Sequence, residues 1–351
     1  MKRLSNVTAG ATATRLPSLT ATVRLGTELL DAAGPELDAL ADACGAPSMA
    51  RAGWLHATVG PVPTRAWSVE VRDDRGALRA AAVLVDEQQA DRDVVRLAGS
   101  STGHTSALLA DDAAAASLLG HAFWDALRER GRPTWAILGP VRVADPVLAA
   151  FTAAVPGADL VSASPVPVVR RGAAASAAEY LTPSMQRTLR KAANRARTDG
   201  CAVDIRFTRD PHEIAALLPD LERLHRERDH EHGRRSELDD DVDLRVWRAR
   251  LTALAAQGRL EVATSHIDSV LAAQVVGLVD SATYRVLEGV LATKLSRYSP
   301  GRVLETAVLQ RVLDDPTLDT LDWVTSVASE ALLTYNDATP VCLCVVSVGA
   351  S

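Results

Sequence analysis

The chain lacks the features that mark several protein classes at a glance. Its four cysteines, Cys44, Cys201, Cys342 and Cys344, include no CxxC pair, so neither a disulfide framework nor a structural zinc site is expected. No stretch approaches the roughly 18 apolar residues that a membrane-crossing helix requires. Lys2 and Arg3 open the chain, but residues 5–22 are small and polar without a continuous apolar centre, which argues against a secretory signal. An excess of one charge is missing too. Lys and Arg total 38 against 44 Asp and Glu, a net charge of −6, which gives no overall field toward nucleic acid or membrane. The expectation is a cytoplasmic protein that does not bind a membrane.

What is present describes a globular chain. Of 351 residues, 47% are hydrophobic and 23% charged, which is enough for two domains with real cores. After a flexible leader (1–16), strand patterns at 20–25, 67–71, 78–85, 94–98 and 135–138 enclose helical ones at 37–44, 48–59 and 113–130. A short helix (146–154) and a proline-rich extended run (164–169) lead on to a basic helix at 183–199. That helix has Thr182 as N-cap, Pro183 in its first turn and Gly200 as its stop. The order then repeats: strand 201–207, helices 211–228 and 243–257, strands 260–265, 270–279 and 283–290, a helix from about Arg302, and a strand near 321–323. Cys342 and Cys344 alternate within an apolar run that also reads as a strand. The repeat is one of pattern, with little identity between the halves. It predicts an α/β (α+β) fold of two similar domains, 17–170 and 171–351, each a mixed, mostly antiparallel sheet flanked by helices.

Residues 283–313 hold the most chemically suggestive stretch. A strand runs into a polar loop, then into Ser299-Pro300-Gly301 and a helix whose apolar face carries Leu304, Val308 and Val312. A turn of small residues opening a helix presents unpaired N–H groups at the positive end of the helix dipole. Phosphate binds well there, and Arg297 and Arg302 flank it. In the first half the corresponding helix is preceded by Asp111 and Asp112, whose charge opposes a phosphate.

The segments Tyr180-Leu181-Thr182-Pro183-Ser184-Met185-Gln186-Arg187, Gly258-Arg259-Leu260, Tyr298-Ser299-Pro300-Gly301 and Leu321-Asp322-Trp323 come in an order and spacing that resemble the GNAT acyltransferase superfamily. The likeness is to its CelD/BcsL-like and FemAB-like branch, whose members commonly carry tandem GNAT-like domains. It covers 180–335. The sequence departs from that branch after Trp323, where Val324-Thr325-Ser326-Val327 carries no glycine, and at Tyr335, which asparagine follows instead of lysine.

The resemblance implies a donor, acetyl-CoA or another acyl-CoA, held by Arg297, Ser299, Gly301 and Arg302, with Tyr284, Val286 and Leu287 lining the pantetheine through their backbone. Acyl transfer to an amine needs a held donor, a deprotonated amine and a stabilised thiolate. Glu288, at the end of the central strand, is the candidate base, and Tyr335 the candidate donor to the thiolate. The charged segment 224–235 contains three histidines but no second ligand group at a familiar metal spacing. Arg228, His230 and His232, with Asp322, are therefore the candidates for contacting a small-molecule amine acceptor. Arg187, Lys191 and Arg195 form a basic stripe on helix 183–199, with no interleaved aromatics for base stacking. The stripe keeps open a FemAB-like reading in which an aminoacyl-tRNA is the donor. A catalytically degenerate binding module is the third reading.

Overall fold

The computed structural model describes residues 18–89, 91–100, 104–172, 174, 176–323 and 335–349. The leader, and the departure from the resemblance at 324–327, lie outside them.

The first half runs β1 (Leu19–Leu25), α1 (Glu28–Ala43), α2 (Ala52–Val59), β2 (Ala66–Asp73), β3 (Leu78–Gln88), β4 (Asp93–Leu97), β5 (Leu109–Ala110), α3 (Ala113–Arg128), β6 (Thr134–Arg142), α4 (Pro146–Ala154) and β7 (Asp159–Ser162). The second runs β8 (Val166–Arg170), α5 (Ala177–Tyr180), α6 (Pro183–Asp199), β9 (Val203–Thr208), α7 (Pro211–Glu231), α8 (Asp241–Ala256), β10 (Leu260–Ile267), β11 (Val270–Asp280), β12 (Thr283–Leu291), α9 (Pro300–Asp314), β13 (Thr320–Asp322), β14 (Asp337–Thr339) and β15 (Val341–Val348).

The expected repeat is present. In each half a strand and two helices precede a three-stranded antiparallel meander, β2–β3–β4 or β10–β11–β12. A helix then returns the chain to a strand parallel to the last meander strand, β6 beside β4 and β13 beside β12. Alternating apolar residues fill both faces of each sheet. Val69, Val71 and Leu84 pack under α3 and α4 through Leu119, Phe123 and Phe151, while Ala81 and Val83 meet α1 and α2. In the second sheet Val262, Val276 and Leu278 face α7 and α8, and Val275, Tyr284 and Val286 face α9.

Helix α6 follows its local signals. Thr182 accepts from the Met185 N–H at 3.2 Å, and Gly200 closes it at φ 72°. Helix α1 begins earlier than the expected 37, because residues 28–32 continue it across a kink at Ala33, two residues before Pro35.

The chain does not hand over cleanly at 170/171. Strand β8 already belongs to the second sheet, paired with β13 and β14. Strand β15 returns to the first, between β6 and β7. The reading of 171–351 as one domain assigned β15 to the second half; its hydrogen bonds lie in the first. Met49 and Trp54 of the first half complete the core under α7 and α8, so the halves share buried surface.

Candidate active site

Strand β12 carries the site. It pairs with β11 along its length, but Val276 faces Glu288 and Gly277 faces Val286, which leaves Leu287 as an extra residue. Such a bulge takes backbone groups out of the ladder and turns the strand. On the other edge, β13 accompanies β12 only over Thr283–Arg285. Beyond Arg285 no described strand pairs that edge, so its N–H and C=O groups have no ladder partners on that side among the described residues.

Strand β12 leads into the expected turn. The loop is a 3-10 helix, Thr293–Tyr298, and Ser299 takes a left-handed conformation at φ 49° before Pro300 starts α9. Ser299 makes no side-chain cap, in contrast to the first half. There Asp112 caps α3 by accepting from the Ala115 N–H, and Arg79 pairs with Asp111 and Asp112. A Cβ on Gly301 would lie 2.9 Å from Leu291 Cδ2, so glycine lets the turn close on the end of β12. Both flanking arginines already have acidic partners: Arg297 with Asp199 at 2.8 Å, and Arg302 with Glu305 at 3.0 Å. Helix α6 lies against the 3-10 helix, where Arg195 donates to the Arg297 carbonyl at 2.6 Å. Arg187, Arg190 and Lys191 stand exposed along α6.

Tyr284 and Val286 are buried on the α9 side. Tyr284 lies within the β11 and β13 ladders, so its backbone is not open to a ligand as expected. Its ring covers Gly277, and burial beside Glu261 pushes the phenol pKa up. Leu287 turns to the α7–α8 side.

Glu288 points toward α7 and α8, where its side chain is 16% exposed. Trp247 Nε1 donates to Oε2 at 3.1 Å, and Gln274 Nε2 to Oε1 at 3.0 Å. His225 Nδ1 lies 3.6 Å from Oε2, and its Nε2 lies 3.4 Å from Asp229. Burial alone would raise the Glu288 pKa; contacts with His225, Trp247 and Gln274 outweigh it and hold the carboxyl below its ordinary value. Burial would lower His225, but Glu288 and Asp229 outweigh that and raise it. The pair therefore favours carboxylate and imidazolium. None of the residues around Glu288 was among the expected site residues. The one local trace is the i,i+4 spacing of His225 and Asp229, which puts them on one helical face.

Residues 183–330 match the family model described as an acetyltransferase (GNAT) domain. This region is a GNAT domain. With it goes acyl transfer as the class of reaction. Solved structures with the same fold include FemX, at TM-score 0.56 and 10% identity over 85% of this chain and 89% of that one. Another is the C-terminal domain of a protein titled a lysylphosphatidylglycerol synthetase from Agrobacterium fabrum, at 0.55 and 11% over 89% and 92%. A third is L-PGS from Bacillus licheniformis, at 0.50 and 11% over 90% and 92%. No curated protein matches the sequence. Among the described residues no helix is long and apolar enough to cross a membrane.

The GNAT domain meets the first half across a polar seam. Asp280 accepts from the Ser48 N–H at 3.0 Å and from its hydroxyl, and pairs with Arg285 at 3.5 Å. Arg285 also binds Asp322. Asp322, an expected acceptor contact, is thus a buried strut. His104, 5% exposed, meets Trp54 edge-on, and its Nδ1 has no hydrogen-bond partner among the described residues. Burial, helped by the charges of Arg285 and Arg250, pushes its pKa down to about 4.

The remaining expected residues lie apart from Glu288's partners. His230 pairs with Asp239 at 2.8 Å, and His232 Nδ1 meets the Arg228 carbonyl at 2.8 Å, so both close the end of α7. Arg228 is half-buried, with no side-chain polar partner among the described residues. Tyr335 is 56% exposed next to Asn336, which bonds to β8. By strand order, β8 is separated from β12 by β13.

Proposed function

We propose that the protein is an N-acyltransferase that moves an acyl group from acyl-CoA, acetyl-CoA being the simplest, to a small-molecule amine by direct attack. The observation that carries this reading is the stretch of β12 beyond Arg285, bulged at Leu287 and unpaired on one edge among the described residues, which leads to the uncapped Ser299–Gly301 turn. Pantetheine would lie along that edge and pyrophosphate on the turn. Glu288 would hold an N–H of the amine and aim its lone pair at the thioester carbon. An ammonium formed by attack is far more acidic than the free one, so a carboxylate of low pKa suffices to take its proton as the C–S bond breaks and CoA leaves as the thiolate. His225 keeps that carboxylate charged.

The second reading is an aminoacyl-tRNA donor. It is favoured by the exposed Arg187, Arg190 and Lys191 on the helix that packs against the same turn.

Calorimetry with CoA and acetyl-CoA tests the choice. Gly301→Asp should weaken binding by about 10-fold or more through charge at the helix end. Gly301→Ala presses on Leu291 without adding charge and separates sterics from electrostatics. Equal losses in the two variants would remove the phosphate role of the turn. A tRNA affinity that falls steeply with salt, with no CoA binding, would replace the first reading by the second.

A further inference from the structure

From Leu271 to Leu278 strand β11 carries one polar side chain, Gln274, which is 1% exposed. The ladder sets where it points. Val276 faces Glu288 and Gln274 faces Val290, so Gln274 and Glu288 are diagonal neighbours on the face that α7 and α8 cover. Gln274 Nε2 donates to Glu288 Oε1 at 3.0 Å. A carboxylate only accepts, so the amide must offer it the nitrogen, and the carbonyl takes the other position. That carbonyl oxygen is buried and has no hydrogen-bond partner among the described residues. Leucine or methionine would fill the same space without burying an unpaired acceptor. A buried acceptor left open beside the candidate base calls for a donor.

The spacing fits one nitrogen. The oxygen and nitrogen of an amide are about 2.2 Å apart, so Gln274 Oε1 lies within about 5.2 Å of the Glu288 oxygen that its Nε2 holds. A nitrogen with two N–H groups spans acceptors about 4.7 Å apart, given hydrogen bonds of about 2.9 Å at a tetrahedral angle. The Glu288 side chain, 16% exposed, is reached from the surface. Contact with the carbonyl beside it needs a shift of the side chains that cover it, as in catalytic hydrogen bonds that close only in the complex.

We infer that the Gln274 carbonyl takes the second N–H of the acceptor nitrogen while Glu288 takes the first, which makes Gln274 the residue that selects a primary amine. This rests on the proposed acyl transfer. As the nitrogen attacks, the N–C bond forms and the C–S bond breaks, its electron pair leaving with the CoA thiolate. One N–H proton passes to Glu288. The other stays on the product amide, still held by the Gln274 carbonyl. A secondary amine has a single N–H, so it leaves the carbonyl unpaired and sets a carbon against it.

Methoxyamine and N,O-dimethylhydroxylamine are the probes. Both are small, weak bases, uncharged at neutral pH, with nitrogen as the nucleophile; the first has two N–H groups and the second one. Thiol release from acetyl-CoA by the full chain is measured with each and divided by the uncatalysed rate. Wild type should favour methoxyamine about 10-fold or more in kcat/KM, and Gln274→Met should lose most of that preference. Trp247→Phe also takes a donor from Glu288 but leaves the Gln274 carbonyl in place, so it should keep the preference. A wild type without preference overturns the assignment. So does an equal loss in the two variants, which would mean that the effect runs through Glu288. Calorimetry with CoA runs alongside: no CoA binding and no thiol release with either probe would sink the acyl-CoA reading, and this assignment with it.

Discussion

His104→Asn offers a direct measure of how dry the seam between the halves is. The imidazole is buried, and its pKa is pushed from 6.5 to about 4, first by desolvation and then by Arg285 and Arg250. In the unfolded chain it returns to about 6.5. A folded pKa below the unfolded one leaves stability intact above about pH 6.5. It removes stability as pH falls, because the unfolded chain takes up a proton that the folded one refuses. The full loss, reached below about pH 4, is about 2.5 units at 1.36 kcal/mol each, or about 3 kcal/mol. At about pH 5 it is already about 2 kcal/mol. Carboxylates titrate in the same window, so wild type alone does not isolate the effect. The variant does: its smaller side chain costs much the same at both pH values and cancels. Urea unfolding of both proteins, at about pH 7.5 and about pH 5, should show wild type losing about 2 kcal/mol more than His104→Asn on acidification. Equal losses would mean that the seam is wet and that the imidazole titrates normally.

Two further outcomes follow from named contacts. Asp280→Ala should cost about 3 kcal/mol in the same unfolding assay, since it orphans the Ser48 donors and leaves Arg285 with less compensation; a loss under about 1 kcal/mol would remove this seam from the account. Trp247→Phe takes a donor from Glu288, so the carboxyl pKa rises, and the acid limb of kcat/KM should move to higher pH. An unmoved limb would dissociate Glu288 from the rate.

What the sequence disclosed depended on how local the cause is. The caps of α6 at Thr182 and Gly200 and the alternation of the meander strands act within a few residues, and both stand where expected. The Ser-Pro-Gly helix start is likewise where it was read, within two residues. Glu288 was visible as a strand-end carboxylate, but its donors come from residues 225, 247 and 274 on three other elements. Arg297 read as a phosphate-facing cation because Asp199, its partner, is 98 residues away by numbering. Asp322 read as an acceptor contact because its partner, Arg285, is 37 residues away by numbering. Strand β15 reads correctly as a strand, yet nothing in an alternating apolar run names its partner.

That strand also sets the order in which the molecule is completed. Strands β6 and β7 have no ladder between them until residues 341–348 enter, so the first sheet stays open while the whole GNAT domain is being made. Closing it joins Val348 to Thr134 across more than 200 residues, a long loop whose entropy must be met before the contact rewards it. During synthesis the edge of β6 therefore stays uncovered until the GNAT domain has been made, which exposes it to wrong pairing.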